Sequence, residues 1–163
     1  LGLIKTKALM IKINVITNNN NWYKIIKNPV KHIARKIDKI NRFDKTFKKK
    51  SIYCTLLLSG NREIKNLNKK FRKKNKSTDV LSFPFQAKKE LNKLLKKEKE
   101  IYLGDIIVNL NKIKIKNLKK FNSEFNRLWI HGLVHLFGHD HKKERDFLKM
   151  DQMEKKYLNL INA

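Results

Sequence analysis

The amino-acid sequence predicts an α+β fold in a single domain that spans residues 1–163. The length is typical of one domain with its own core, and neither an internal repeat nor a Gly/Ser-rich linker divides the chain. Four apolar, β-branched runs are mixed with amphipathic helical patterns. The order lacks the strict strand–helix–strand alternation of a doubly wound α/β protein, so α+β is the favoured class.

The first half of the chain contains two predicted strands and two predicted helices. Residues 10–16 alternate loosely, as in a strand, and residues 51–58 form an apolar run typical of a central strand. Pro29 fits the first turn of a helix, where its missing N–H costs nothing. Apolar side chains then recur at helical spacing in two segments: Val30, Ile33, Ala34, Ile37 and Ile40; Ile64, Leu67 and Phe71 with Asn68.

The other two predicted strands follow a basic loop at Lys73–Lys76. Residues 78–85 form the first. Pro84 indicates either that this strand lies at the sheet edge or that the strand ends near this residue. Residues 101–110 form the second, in which Gly104 indicates a bulge or a close approach of another backbone segment.

Three segments of the second half have helical character. Residues 87–100 are rich in Lys and Glu, which is compatible with either a helix or a mobile insertion. Helices are predicted at about residues 120–137 and 143–160. The last of these has an apolar stripe that we expect to pack in the core: Phe147, Met150, Met153, Tyr157 and Leu160.

The charge balance favours a polyanionic partner. The formal net charge is +26, from 40 Lys and Arg against 14 Asp and Glu. Nucleic acid is the first expectation and an anionic membrane surface the second. The abundance of Lys, Asn and Ile is also compatible with the codon bias of an AT-rich genome, so the excess charge has two open explanations.

A cytoplasmic location is expected from cysteine usage and hydropathy. Cys54 is the one cysteine, so an internal disulfide is excluded, and its apolar neighbours indicate a buried core residue. Lysines interrupt the first apolar segment too often for a signal peptide, and no apolar run is long enough to span a bilayer. The chain does not begin with Met, and Met10 is an alternative start.

Three histidines, His131, His135 and His141, carry the strongest functional signal. The first two are four residues apart and therefore lie on one face of a helix. Gly138 allows the chain to leave the helix, so that His141 can return to the same point. Three imidazoles with one open position are typical of a catalytic zinc ion, which lowers the pKa of bound water to about 7.

The residue after the first histidine distinguishes this site from a peptidase. The spacing of the three histidines and Gly138 matches the metzincin protease motif, in which Glu follows the first histidine and acts as general base. Here that position is Gly132, which has no side chain to take a proton. A metalloprotease therefore remains an alternative that lacks its base.

The other histidines and Asp140 are weaker candidates. His32 is expected to be structural, and His139 faces away if His135 and His141 share a metal. Asp140 could orient a histidine ring or shape the turn. A non-catalytic basic ribosome-assembly factor with a structural metal is a further alternative, and its fourth ligand would be His139 or Asp140.

The sequence resembles the YbeY family of metal-dependent endoribonucleases, or rRNA maturation factors. Residues 131–141 match the family motif H-G-x-x-H-L-x-G-y-D-H except at His139, where an aromatic Tyr is usual. Met150 and Glu154 also fall where the family's last helix carries Met and Glu. Three other segments match family motifs in the same order: Leu67–Arg72, Thr78–Pro84 and Leu103–Ile106.

This resemblance implies a small, mostly parallel four-stranded sheet packed by about five helices, with the metal site in a cleft. It implies that His131, His135 and His141 bind one zinc ion, although three imidazoles also suit nickel, copper or cobalt. Arg72 corresponds to the family's functionally important arginine. Arg72 and His131 are therefore the candidate catalytic residues.

The activity implied is cleavage of single-stranded RNA in rRNA maturation and ribosome quality control. The implied partners are ribosomal RNA and the ribosome or small-subunit assembly factors, without a membrane. A guanidinium can bind two oxygens of a pentacoordinate phosphorus, which suits Arg72, and Lys73, Lys74 and Lys76 would hold flanking RNA. The nucleophile is either metal-activated water or the RNA 2′-OH. Charge-driven association with ribosomes, with little catalysis, is the remaining alternative.

Overall fold

The structure is a computed structural model that describes residues 10–163. Within this range, five α-helices and a four-stranded sheet follow one another in mixed order. The strands are β1 (Ile11–Thr17), β2 (Ser51–Ser59), β3 (Val80–Pro84) and β4 (Glu100–Asn109). The helices are α1 (Pro29–Phe43), α2 (Asn61–Arg72), α3 (Lys88–Lys97), α4 (Leu118–Leu136) and α5 (Glu144–Asn162). The predicted features of residues 1–9 lie outside the described residues.

The sheet has the strand order β1–β2–β4–β3 and is mostly parallel. β1, β2 and β4 run in the same direction, whereas β3 pairs antiparallel with β4. β3 is an edge strand, so Pro84 at its end removes no ladder hydrogen bond from the sheet interior. The prediction of an α+β fold with a small, mostly parallel sheet is confirmed.

The two faces of the sheet are covered unequally. One face packs against four helices in the main core, which includes Ile33 of α1, Leu91 of α3, Phe125 of α4 and Met150 of α5. On the other face, a smaller cluster forms around Ile64 of α2. The site described below lies where α4 crosses the first of these faces near β3.

Gly104 accounts for an irregularity in β4. Between Tyr53 and Thr55 of β2 the register shifts, because β4 has one extra residue at this point. Gly104 has φ +135°, and a Cβ there would lie 2.1 Å from the carbonyl oxygen of Phe83. Both predicted meanings of this glycine, a bulge and a close backbone approach, are confirmed.

Two expectations about helices change. Residues 87–100 contain an ordered helix, α3, because Leu91 anchors it in the core. Four side chains predicted on helical stripes are instead exposed: Val30, Ala34, Phe71 and Phe147. The three larger side chains, Val30, Phe71 and Phe147, lie toward an end of their helices.

Candidate metal centre

The three predicted histidines come together at the end of α4. His131 and His135 lie one turn apart on this helix, and their ring centroids are 4.6 Å apart. Gly138, with φ +89°, adopts the left-handed conformation that turns the chain after the helix. The chain then brings His141 back, and one ring nitrogen from each histidine lies within 4.8 Å of the others. This group could hold one metal ion.

Hydrogen bonds at the back of two rings orient them toward this point. Nδ1 of His131 is 2.6 Å from Oε1 of Glu154 on α5, and Nδ1 of His135 is 2.9 Å from the carbonyl oxygen of His139. A carboxylate and a carbonyl only accept, so each Nδ1 carries the proton and donates it. The lone pair is thereby left on Nε2, as in metal-binding histidines whose other nitrogen is hydrogen-bonded.

The environment of His135 favours its neutral form. Burial lowers the pKa of His135, and the neighbouring His131 lowers it further. A ring that stays neutral at neutral pH keeps the lone pair that a metal requires. His141 is exposed, so the cluster opens to solvent on the loop side.

Gly132 is required by packing. A Cβ at this position would lie 2.5 Å from Cγ2 of Ile106 on β4 and 3.1 Å from Oγ of Ser82 on β3. Position 132 therefore faces the sheet and leaves no room for the glutamate of a metzincin protease. The structure adds a steric argument to the missing base, and both disfavour the peptidase alternative.

Arg72 is at the C-terminus of α2 and reaches the edge of β3. Its Nη2 donates to the carbonyl oxygen of Ser82 at 3.1 Å, and its Cζ lies 5.7 Å from the ring centroid of Phe83. The Oγ of Ser82 in turn donates to the carbonyl oxygen of Gly132 at 3.3 Å. Two hydrogen bonds thus connect the guanidinium with the turn of α4 that carries His131.

The remaining candidate residues contact the turn after α4 or the protein core. The side chain of Asp140 accepts from the backbone N–H of His141 at 2.7 Å, so it shapes the turn. Within residues 10–163 the metal-ligand cluster contains neither Asp140 nor His139. His32 of α1 stacks on Phe125 of α4. The Cys54 thiol is fully buried, and this burial raises its pKa to about 12.

Glu154 is the residue whose contact the sequence analysis did not assign. It lies four residues after Met150 and three before Tyr157, and both of these side chains are buried. A carboxylate on the buried stripe of a helix requires a partner, because an unpaired charge there is costly. The position of Glu154 on the buried stripe therefore indicates that it has a partner, but it does not show that this partner is His131 on α4.

The chain is similar to known proteins over most of its length. Residues 15–162 match the family model described as Endoribonuclease YbeY. The chain is 44% identical over 150 residues to the endoribonuclease YbeY of Pelagibacter ubique, covering 89% of this chain and 92% of that protein. It is 31% identical over 155 residues to the Ehrlichia canis protein of the same name, covering 93% of each. The solution structure of TM1509 from Thermotoga maritima shares the fold, with a TM-score of 0.58 at 24% identity over 92% of this chain and 89% of that one.

Proposed function

We propose that this chain, which belongs to the YbeY family of endoribonucleases, cleaves single-stranded RNA at a metal ion held by His131, His135 and His141. The observation that carries the proposal is the convergence of three ring nitrogens with two Nδ1 atoms already hydrogen-bonded. Such back-side bonds are the usual support of a metal ligand.

The donor set fits zinc, with one ion per chain. Three neutral imidazoles are typical of catalytic zinc, and the open side of the cluster at His141 leaves a coordination position for water or substrate. A structural zinc site would have four protein ligands. When bound, zinc acts as a Lewis acid that polarises a phosphate oxygen and lowers the pKa of water.

Arg72 would bind the scissile phosphate. Its guanidinium uses Nη2 for Ser82, and the remaining N–H groups are available for two phosphate oxygens. The charge on these oxygens grows as phosphorus becomes five-coordinate, so this contact is strongest in the transition state. Lys73, Lys74 and Lys76 are exposed directly after Arg72 and would hold the flanking phosphates.

The biological setting that we infer is the maturation of ribosomal RNA and the quality control of ribosomes in the cytoplasm. The net charge of +26 supports a large RNA or ribonucleoprotein partner, such as the ribosome or small-subunit assembly factors. Within residues 10–163 every helix is too short or too polar to cross a bilayer.

The test combines metal analysis with cleavage of a labelled single-stranded RNA. Arg72→Ala should retain the metal and lose at least about tenfold in cleavage rate, since a charged hydrogen bond to the transition state is worth about 1.5–3 kcal/mol. Arg62→Ala is the matched control, because this exposed arginine lies at the other end of the same helix. Undiminished cleavage by Arg72→Ala would reject its role, and loss of metal would indicate a structural one.

A further inference from the structure

The part of the sheet that α2 leaves open presents a row of aromatic side chains. Tyr53 of β2 pairs with Tyr102 of β4, and the Tyr102 ring lies 5.8 Å from that of Phe85 in a T-shaped arrangement. Phe83, two residues before Phe85, points to the same face and packs in the smaller cluster under α2. We call Tyr53, Tyr102, Phe85 and Phe83 the aromatic row.

Two aromatic side chains of this row are exposed to solvent. Phe85 is 68% exposed and Tyr102 is 38% exposed. The bulge at Gly104 places Tyr102 and Asp105 on the same face, so that the Tyr102 hydroxyl donates to Oδ1 of Asp105 at 2.5 Å. Thr55 Oγ1 lies 2.7 Å from the same hydroxyl. These bonds fix the Tyr102 ring at the surface, and a fixed ring loses little entropy when a ligand stacks on it.

Cationic side chains border the row at both ends. Lys12 of β1 pairs with Tyr53 in the sheet, and Arg72 lies over Phe83. Lys70 is 5.2 Å from the ring of Phe71, which itself contacts Phe83. Aromatic rings between Lys and Arg side chains are the combination that binds single-stranded nucleic acid, because bases stack on the rings and phosphates contact the cations.

We propose that the aromatic row is a stacking platform that holds the bases of single-stranded RNA beside the cleavage site. This inference rests on the proposed function and deepens it, since it places the part of the substrate that flanks the cleaved bond. Arg72 connects the two surfaces: it lies over Phe83 at the α2 end of the row and donates to the carbonyl oxygen of Ser82, whose hydroxyl donates to the carbonyl oxygen of Gly132 beside His131.

The platform also gives a physical reason for a preference for single strands. The faces of paired bases are stacked on one another inside a duplex, whereas an unpaired segment can turn its bases toward the sheet. The Asp105 carboxylate within the row repels phosphates, which places bases over the sheet and the backbone along its cationic borders.

The experiment measures binding of a fluorescent ten-nucleotide single strand with 2′-O-methyl riboses, checked by gel for integrity. We expect Phe85→Leu and Tyr102→Leu each to weaken binding by about fivefold or more, since stacking contributes about 1–3 kcal/mol per base. Phe85→Trp should retain the affinity, because it keeps an aromatic face. The matched control is Phe43→Leu, since Phe43 is 63% exposed at the end of α1.

Equal binding by Phe85→Leu and wild type would overturn the proposal. So would an equal loss in Phe85→Trp, or a change in sedimentation showing that Phe85→Leu disrupts a protein–protein contact. The failure of the cleavage proposal would look different: wild type would not cleave RNA in the presence of metal. Normal metal-dependent cleavage with unaltered binding by the row variants would reject the platform alone.

Discussion

Replacement of Glu154 on α5 tests whether its hydrogen bond orients His131 of α4 for metal binding. Glu154 accepts a hydrogen bond from Nδ1 of His131 at 2.6 Å. The two side chains are only 20% and 27% exposed, so water replaces this carboxylate poorly. Loss of such an outer partner typically costs 10–100-fold in metal affinity. Glu154→Gln keeps an acceptor oxygen but loses the charge, so we expect about tenfold weaker zinc binding. Glu154→Ala removes the acceptor and should approach a hundredfold, about 2.8 kcal/mol.

The assay is competition for zinc between metal-free protein and a chromophoric chelator at pH 7.5. The matched control is Asp151→Asn, one turn earlier on α5, where the carboxylate pairs with the exposed Lys155 at 2.6 Å. A surface pair of this kind contributes little, so zinc affinity should not change. If Glu154→Ala bound zinc as tightly as Asp151→Asn while both remained folded, the reasoning about His131 orientation would be refuted.

Two predictions concern stability and are measured by urea denaturation. Gly132→Ala should lower the free energy of unfolding by about 1–2 kcal/mol, because the new Cβ would lie 2.5 Å from Ile106. The cost of this overpacking exceeds the gain in helix propensity from Gly to Ala. An unchanged urea midpoint would contradict the packing argument. His32 has its pKa lowered from 6.5 to about 4 by burial and by nearby Lys36 and Arg35. The unfolded chain therefore binds a proton below pH 6.5 that the folded chain does not bind until about pH 4, and stability is lost as pH falls through this window. His32→Phe has no group that titrates here, so its free energy of unfolding relative to wild type should increase as the pH falls from 7 to 4. A difference between the two proteins that does not change with pH would contradict this prediction.

Local patterns predicted the elements well. The periodicity of the apolar side chains located α4 and the alternation of residues located β1, each to within two residues of the observed bounds. The histidine spacing correctly predicted that His131, His135 and His141 lie close together. Two of them share a helical face, and a glycine ends that helix. These are short-range relations, which the covalent geometry of the chain dictates.

Relations between distant segments could not be predicted in the same way. The contact of Glu154 with His131 joins two helices, and no spacing rule gives their mutual rotation. Phe147 fits the apolar stripe of α5, yet it is exposed because periodicity defines a face without showing how far the partner extends. The steric role of Gly132 depends on Ile106, which comes from a different strand of the sheet.

Removal and return of the metal test the central claim most directly. The protein is stripped with a chelator and assayed for cleavage of a labelled single-stranded RNA, and zinc is then added in steps. Cleavage should disappear with the metal and return in proportion to binding, with saturation at one ion per chain, whereas His131→Ala should not recover. Cleavage at the original rate by metal-free protein would contradict the account.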